Sequence, residues 1–131
     1  MKVYLAAKFH PDGKNKAQME ALRSSLEQAG FETMLFIADV EKWGAVTLGA
    51  KELMRHACVW IDTADLLLVE FSEKGVGLGI EAGYAYAKGK PVYVLTPAGT
   101  EISETLAGIA SGVLFYSTPE EVGLLLKSIL A

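Results

Sequence analysis

Apolar residues in this chain fall into short continuous runs that alternate with stretches of helical spacing. The run from Lys2 to Ala7 predicts a buried strand. KFHPDGKN follows as a loop. Met19, Leu22, Leu26 and Ala29 recur at intervals of three and four, so they predict a helix with one apolar face. Asn15 is a suitable cap for it and Gly30 a suitable stop. Glu32 to Ile37 predicts a second strand, ADVEKWGAVTLGA a loop turning helical, and Ala50 to Ile61 a helix. Leu66 to Phe71 predicts a third strand, preceded by Asp65. A glycine loop then leads into a helix over Ile80 to Lys88, ended by Gly89. Pro91 to Leu95 is a fourth strand, with proline where a missing N–H does least harm. Ser103 caps a short helix ending near Gly108, and Val113 to Tyr116 is a fifth strand. The final helix opens with Thr118 as cap, Pro119 at its first position and Glu121 three after the cap.

Strand and helix thus alternate five times. Apolar strands joined through helices imply an α/β fold with a parallel sheet covered on both faces. Right-handed crossovers make it a doubly wound, five-stranded, flavodoxin- or Rossmann-like sheet of strand order 2-1-3-4-5. With 131 residues and no linker or repeat, the reading is one domain over residues 1–131. A formal net charge of −4 and the lack of a basic run argue against a nucleic-acid surface. Cys58 is the one cysteine, which suits a reducing cytoplasm, and no segment reaches the length of a membrane span.

In such a fold, ligands bind beyond the carboxyl ends of the strands where strand order reverses. Two segments meet there: AAKFH after strand 1 and SEKGVGLGIEAG after strand 3. Gly75, Gly77 and Gly79 lack Cβ atoms, so their backbone is free to take positive φ and to approach a ligand closely. No Lys-Ser/Thr pair follows, so this is not a phosphate-binding P-loop, and it follows the wrong strand for a dinucleotide fingerprint. Glu81 stands just behind the glycines. As a structural acid it would only complement the helix dipole. As a functional one it would point into the crevice, kept ionised by the helix start, and attack a sugar C1′. Phe9 and Trp43 lie on loops at the crevice edge and could stack a base. No His/Cys/Asp set has metal-ligand spacing, so neither a metal nor a cofactor is expected.

VYLAAKF, ADLLLVEF and GVGLGIEAGYAYAKGKPVYVL together resemble the nucleoside 2-deoxyribosyltransferase family, including its members that hydrolyse 2′-deoxynucleoside 5′-monophosphates. Gly77, the run Glu81, Gly83 and Ala85, and Lys90-Pro91 carry the match. The resemblance implies cleavage or transfer of an N-glycosidic bond, with Glu81 as nucleophile. It implies that Tyr4 and the Ala7–Lys8–Phe9 loop line the sugar and base pocket, that Ser103 reaches a neighbour's site, and that the protein is a homodimer or larger. Three positions depart from the family. Ala57 stands eight residues before Asp65, where the family has an aspartate; Ala7 replaces a glycine; Gly75 replaces a phosphate-binding serine. His56, Asp62 or Asp39 are the candidates for the missing polar group. The alternatives are a nucleotide-binding or sensing module that has lost efficient chemistry, and a phosphoribohydrolase of the related lysine-decarboxylase-like fold, which also places a glutamate after glycines.

Overall fold

The computed structural model describes residues 1–131. Strands β1 (Lys2–Ala6), β2 (Glu32–Met34), β3 (Leu66–Glu70), β4 (Val92–Pro97) and β5 (Gly112–Tyr116) form one parallel sheet in the order β2-β1-β3-β4-β5. This is the predicted strand order. The helices are α1 (Lys16–Gln28), α2 (Phe36–Asp39), α3 (Ala50–Thr63), α4 (Val76–Ala87), α5 (Glu104–Ile109) and α6 (Val122–Leu130).

Strand alternation sorts the core into two layers. Val3, Leu5, Leu66 and Leu68 pack against Met19, Leu22 and Leu26 of α1 and Val122 and Leu126 of α6. Their sequence neighbours Tyr4, Ala6, Leu67 and Val69 turn to the other face. There they meet Ala57 and Ile61 of α3, Leu78, Ala82 and Ala85 of α4, and Leu106 of α5. The last helix begins as predicted. Thr118 and Glu121 form a reciprocal capping box, and one 3₁₀ turn at Pro119–Glu121 leads into α6.

Two boundaries near the crevice differ from the expectation. β2 stops at Met34, and Leu35, Phe36 and Ile37 turn into α2 instead of extending the strand. All three are buried, so the apolar run satisfied either reading. The Asp39 carboxylate stabilises the turn by accepting the Leu35 N–H at 3.1 Å. The second difference is at α4. It starts at Val76, with Gly75 as its cap, so Gly77 and Gly79 lie inside the helix and none of the three glycines has positive φ. Glycine lowers helix propensity by about 1 kcal/mol per residue. Burial of Leu78 and Ala82 outweighs that local preference.

Candidate active site

A cavity of about 330 Å³ opens beyond the ends of β1 and β3, at the reversal of strand order. Tyr4 of β1 and the following Ala7, Lys8 and Phe9 form one wall. Phe36, Ile37 and Glu41 come from α2 and the turn after it, Leu53, Met54 and Ala57 from α3, and Gly75 to Leu78 with Glu81 from α4. Twelve of the 17 lining residues are hydrophobic, so a charge placed here loses much of its hydration.

Glu81 is the sixth residue of α4, in its second turn. The buried positions Leu78, Ala82 and Ala85 turn that face of the helix to the sheet and bring Glu81 against β1. Its side chain is half-buried. Burial raises its pKa above the ordinary carboxylate value; a hydrogen bond from the Tyr4 hydroxyl opposes this, and the charge of Glu41 adds to it. The expectation that the helix start keeps Glu81 anionic is therefore corrected. The dipole acts within the first turn, and the group that favours the anion is Tyr4. Tyr4 is itself 2% exposed, and burial with the neighbouring Glu81 charge pushes its hydroxyl pKa far upward. It stays a neutral donor.

Other residues singled out from the sequence divide between this cavity and elsewhere. Ala7, Lys8, Phe9, Gly75 and Gly77 line it. Gly79 and Ser103 lie in an adjoining hollow with Phe71, Lys74 and Leu106, which shares Gly75 and Val76 with the first. Ser103 caps α5 by accepting the Leu106 N–H at 3.4 Å. Asp39 does not line the cavity; it pairs with Arg23 and accepts the Leu35 N–H. Trp43 packs against the α1 side of the core, with the Lys16 ammonium 5.6 Å from its ring. The candidates for the missing polar group are also engaged elsewhere. His56 lies edge-on to Phe36 with ring centres 5.8 Å apart, and Asp62 accepts from the Tyr84 hydroxyl at 2.8 Å. Ala57 occupies the cavity wall at 4% exposure.

The residue that sequence reading passed over is Glu41, the second carboxyl in the cavity. Its signal was one acid in the loop EKWGAV, where Trp43 drew attention. No group of three or more His, Cys, Asp or Glu residues is placed to hold a metal ion, and no helix is long and apolar enough to cross a membrane.

The sequence model of the family described as nucleoside 2-deoxyribosyltransferase matches residues 3–123. A Thermofilum pendens protein, provisionally named 2′-deoxynucleoside 5′-phosphate N-hydrolase 1, is 30% identical over 118 residues, which cover 86% of this chain and 78% of the relative. The 5-hydroxymethyl-dUMP N-hydrolase of Rattus norvegicus is 26% identical over 86% of this chain and 72% of its own length. Among solved structures, the Clostridium botulinum CMP N-glycosidase superposes with a TM-score of 0.68 at 21% identity, covering 99% of this chain and 98% of the other. The 2-deoxyribosyltransferase of Bacillus psychrosaccharolyticus gives 0.68 at 19% identity, covering 94% and 90%. At these identities the two structures bear on the fold.

Proposed function

The chain belongs to the nucleoside 2-deoxyribosyltransferase family, and from that premise we propose that it cleaves or transfers the N-glycosidic bond of a 2′-deoxynucleoside 5′-monophosphate with Glu81 as the nucleophile. The family's chemistry is N-glycosidic cleavage or transfer on nucleosides or nucleotides. The observation that carries the finer reading is the placement of Glu81. It is a half-buried carboxylate in an apolar cavity, facing one neutral hydroxyl donor. A carboxylate so placed is poorly hydrated and available to attack carbon. An oxygen of Glu81 bonds to C1′, the C1′–N bond breaks with its electron pair passing to the base, and a deoxyribosyl ester remains. Water or a second base then opens the ester. Ala6 and Ala7 keep the approach to Glu81 small, and Phe9 offers a ring at the mouth.

The 5′-phosphate is supported by Lys8, the sole cation among the lining residues, and by the named substrates of the relatives. The reading also includes a homodimer: α4 leaves Val76, Ile80 and Tyr86 exposed along its outer side. A monomer in sedimentation at working concentration would refute that part.

Glu81→Gln tests the central claim, because it keeps shape and removes the nucleophilic charge. Assayed on deoxynucleosides and their monophosphates, it should lose about 10³-fold or more in kcat while still binding substrate. Equal activity in the variant would make Glu81 a structural acid. A second reading, a nucleotide-binding module, is favoured by Ala57 alone, which presents no polar group from α3. Tight binding by the unmodified protein with no cleavage of any of these substrates would select it.

A further inference from the structure

Apart from Glu81, the cavity holds one carboxyl group, and nothing in its surroundings is arranged to keep that group ionised. Glu41 makes no side-chain hydrogen bond and no ion pair. It lines the cavity together with Tyr4, Phe36, Ala57 and Glu81, and its charge bears on Glu81. Its backbone, in contrast, is firmly held. The Glu41 N–H donates to the Phe36 carbonyl at 3.2 Å, and its own carbonyl accepts from Gly44 and Val46, both at 3.0 Å.

The turn that follows is costly. Lys42, Trp43 and Gly44 all take positive φ, at 49°, 56° and 94°. Two successive non-glycine residues in that region, one of them tryptophan, persist only where the surroundings enforce them, and such strain gathers at functional sites. Here Trp43 is anchored in the α1 layer of the core, and a Cβ on Gly44 would lie 3.7 Å from the Phe9 ring. The strained turn fixes where Glu41 leaves the backbone.

We propose that Glu41 is the acid that protonates the departing base, paired with Glu81 in a two-carboxyl mechanism; this rests on the reading of Glu81 given above. When the Glu81 oxygen bonds to C1′ and the C1′–N pair moves onto the base, the base takes the Glu41 proton at a ring nitrogen or carbonyl oxygen. In the second step the attacking water, or the acceptor base, gives its proton to the Glu41 carboxylate as its electron pair bonds to C1′. As that bond forms, the ester C1′–O bond breaks and its pair returns to Glu81. Both groups end as they began.

The division of labour follows from the environments. Both carboxyls are desolvated, which raises both pKa values. The neighbouring Tyr4 hydroxyl favours the Glu81 anion, and no neighbouring group favours that of Glu41. The groups facing Glu41 are Tyr4 from β1, Lys8 from the next loop and Glu81 from α4, while α3 presents only Leu53, Met54 and Ala57. Of the two carboxyls, Glu41 therefore keeps the shared proton. The missing acid of α3 is replaced from the opposite wall.

Glu41→Gln and Glu81→Gln, each compared with the unmodified protein on two substrates, test this. One is a deoxynucleoside 5′-monophosphate; the other is a 2-deoxyribose 5-phosphate carrying a p-nitrophenolate leaving group, which departs without protonation. Glu41→Gln should lose about 100-fold or more in kcat/KM on the first. It should release the first equivalent of nitrophenolate within about threefold of the normal rate, and the alkaline limb of its pH profile should vanish. Glu81→Gln should fail on both. Normal nucleotide cleavage by Glu41→Gln, or an equal loss on both substrates, overturns the role of Glu41 while leaving that of Glu81. Full activity in Glu81→Gln overturns the underlying reading instead. Carboxyl ¹³C NMR decides independently of turnover: Glu41 should keep its proton to higher pH than Glu81, and the reverse order refutes the proposal.

Discussion

Two tyrosine–glutamate pairs flank the end of β3, one on each face of the sheet, and they differ in how the acid is served. Glu70, the last residue of β3, is 3% exposed. One oxygen accepts the Ser72 N–H at 2.8 Å; the other accepts the Ser72 hydroxyl at 2.7 Å and the Tyr116 hydroxyl at 2.8 Å. Gln18 from α1 donates to the Tyr116 oxygen at 2.6 Å, which closes the network. Tyr116 has its pKa pushed up to about 12 by burial and by Glu70, so it stays a donor. Eleven residues later, Glu81 has the Tyr4 hydroxyl as the one neighbour that favours its anion, a second carboxyl nearby, and a cavity beside it. A carboxylate that accepts three hydrogen bonds, with both oxygens engaged, holds the fold together. One left with a single donor and an empty cavity is free to react. Burial alone does not mark the glutamate that borders the cavity, since Glu70 is the deeper of the two.

Mutation should separate the pairs. The largest effect is the loss of turnover in Glu81→Gln, about 10³-fold or more, equivalent to about 4 kcal/mol of barrier, with little change in melting temperature. Glu70→Ala should do the opposite. It strands three donors in a buried site, so chemical denaturation should show a loss of about 3 kcal/mol or more. The kcat of the folded fraction should stay near normal. If Glu70→Ala leaves stability intact, the network is not structural and the contrast fails.

The two tyrosines should divide in the same way at smaller scale. Tyr116→Phe should cost about 1–2 kcal/mol of stability, because it leaves Glu70 and Gln18 each short of a partner. Tyr4→Phe should cost about tenfold in kcat by removing the one donor to Glu81. It should also move the acid limb of the pH–rate profile upward, because the hydrogen bond that lowers the Glu81 pKa is gone. An unmoved limb would mean that Tyr4 packs and does not tune.

The smallest effect is on stability against pH. The folded pKa of Glu81 lies above its unfolded value, so the native state binds its proton more tightly. Stability should fall as pH rises from the unfolded pKa through the folded one, and the deficit should persist above it. Glu81→Gln should remove that slope, so its melting temperature should exceed the unmodified protein's at neutral pH and match it in mild acid. A variant less stable at neutral pH would show that the charge is favourably placed, contrary to its surroundings.

Much of this architecture was legible in the chain. Continuous apolar runs of five or six residues, separated by helical spacing, dictate parallel strands with helices on both faces, and the observed strand order follows from that alternation. The Thr118 capping box was readable because capping is a matter of four or five adjacent residues. So was the place of the cavity, since the reversal of strand order selects the loops after β1 and β3. Local pattern misplaced the start of α4, where glycines suggested a loop, and the end of β2, where Leu35 to Ile37 suited strand or helix equally. In both cases packing against the sheet outweighed propensities of about 1 kcal/mol or less.

The sequence by itself determined the fold and the crevice, and it placed Glu81 in the connection that borders that crevice, because each depends on periodicity or on spacing within one connection. Only the tertiary structure decided the company Glu81 keeps. Tyr4 lies 77 positions before it and Glu41 lies 40 before it, and no periodicity links residues on β1, the turn after α2 and α4. Asp39 and Glu41 are two residues apart, yet one pairs with Arg23 while the other faces the cavity. That choice was made by the left-handed turn at Lys42 and Trp43 and by the core that holds Trp43 in place. Electrostatic partners are set by distance through space, and distance along the chain carries almost no record of it.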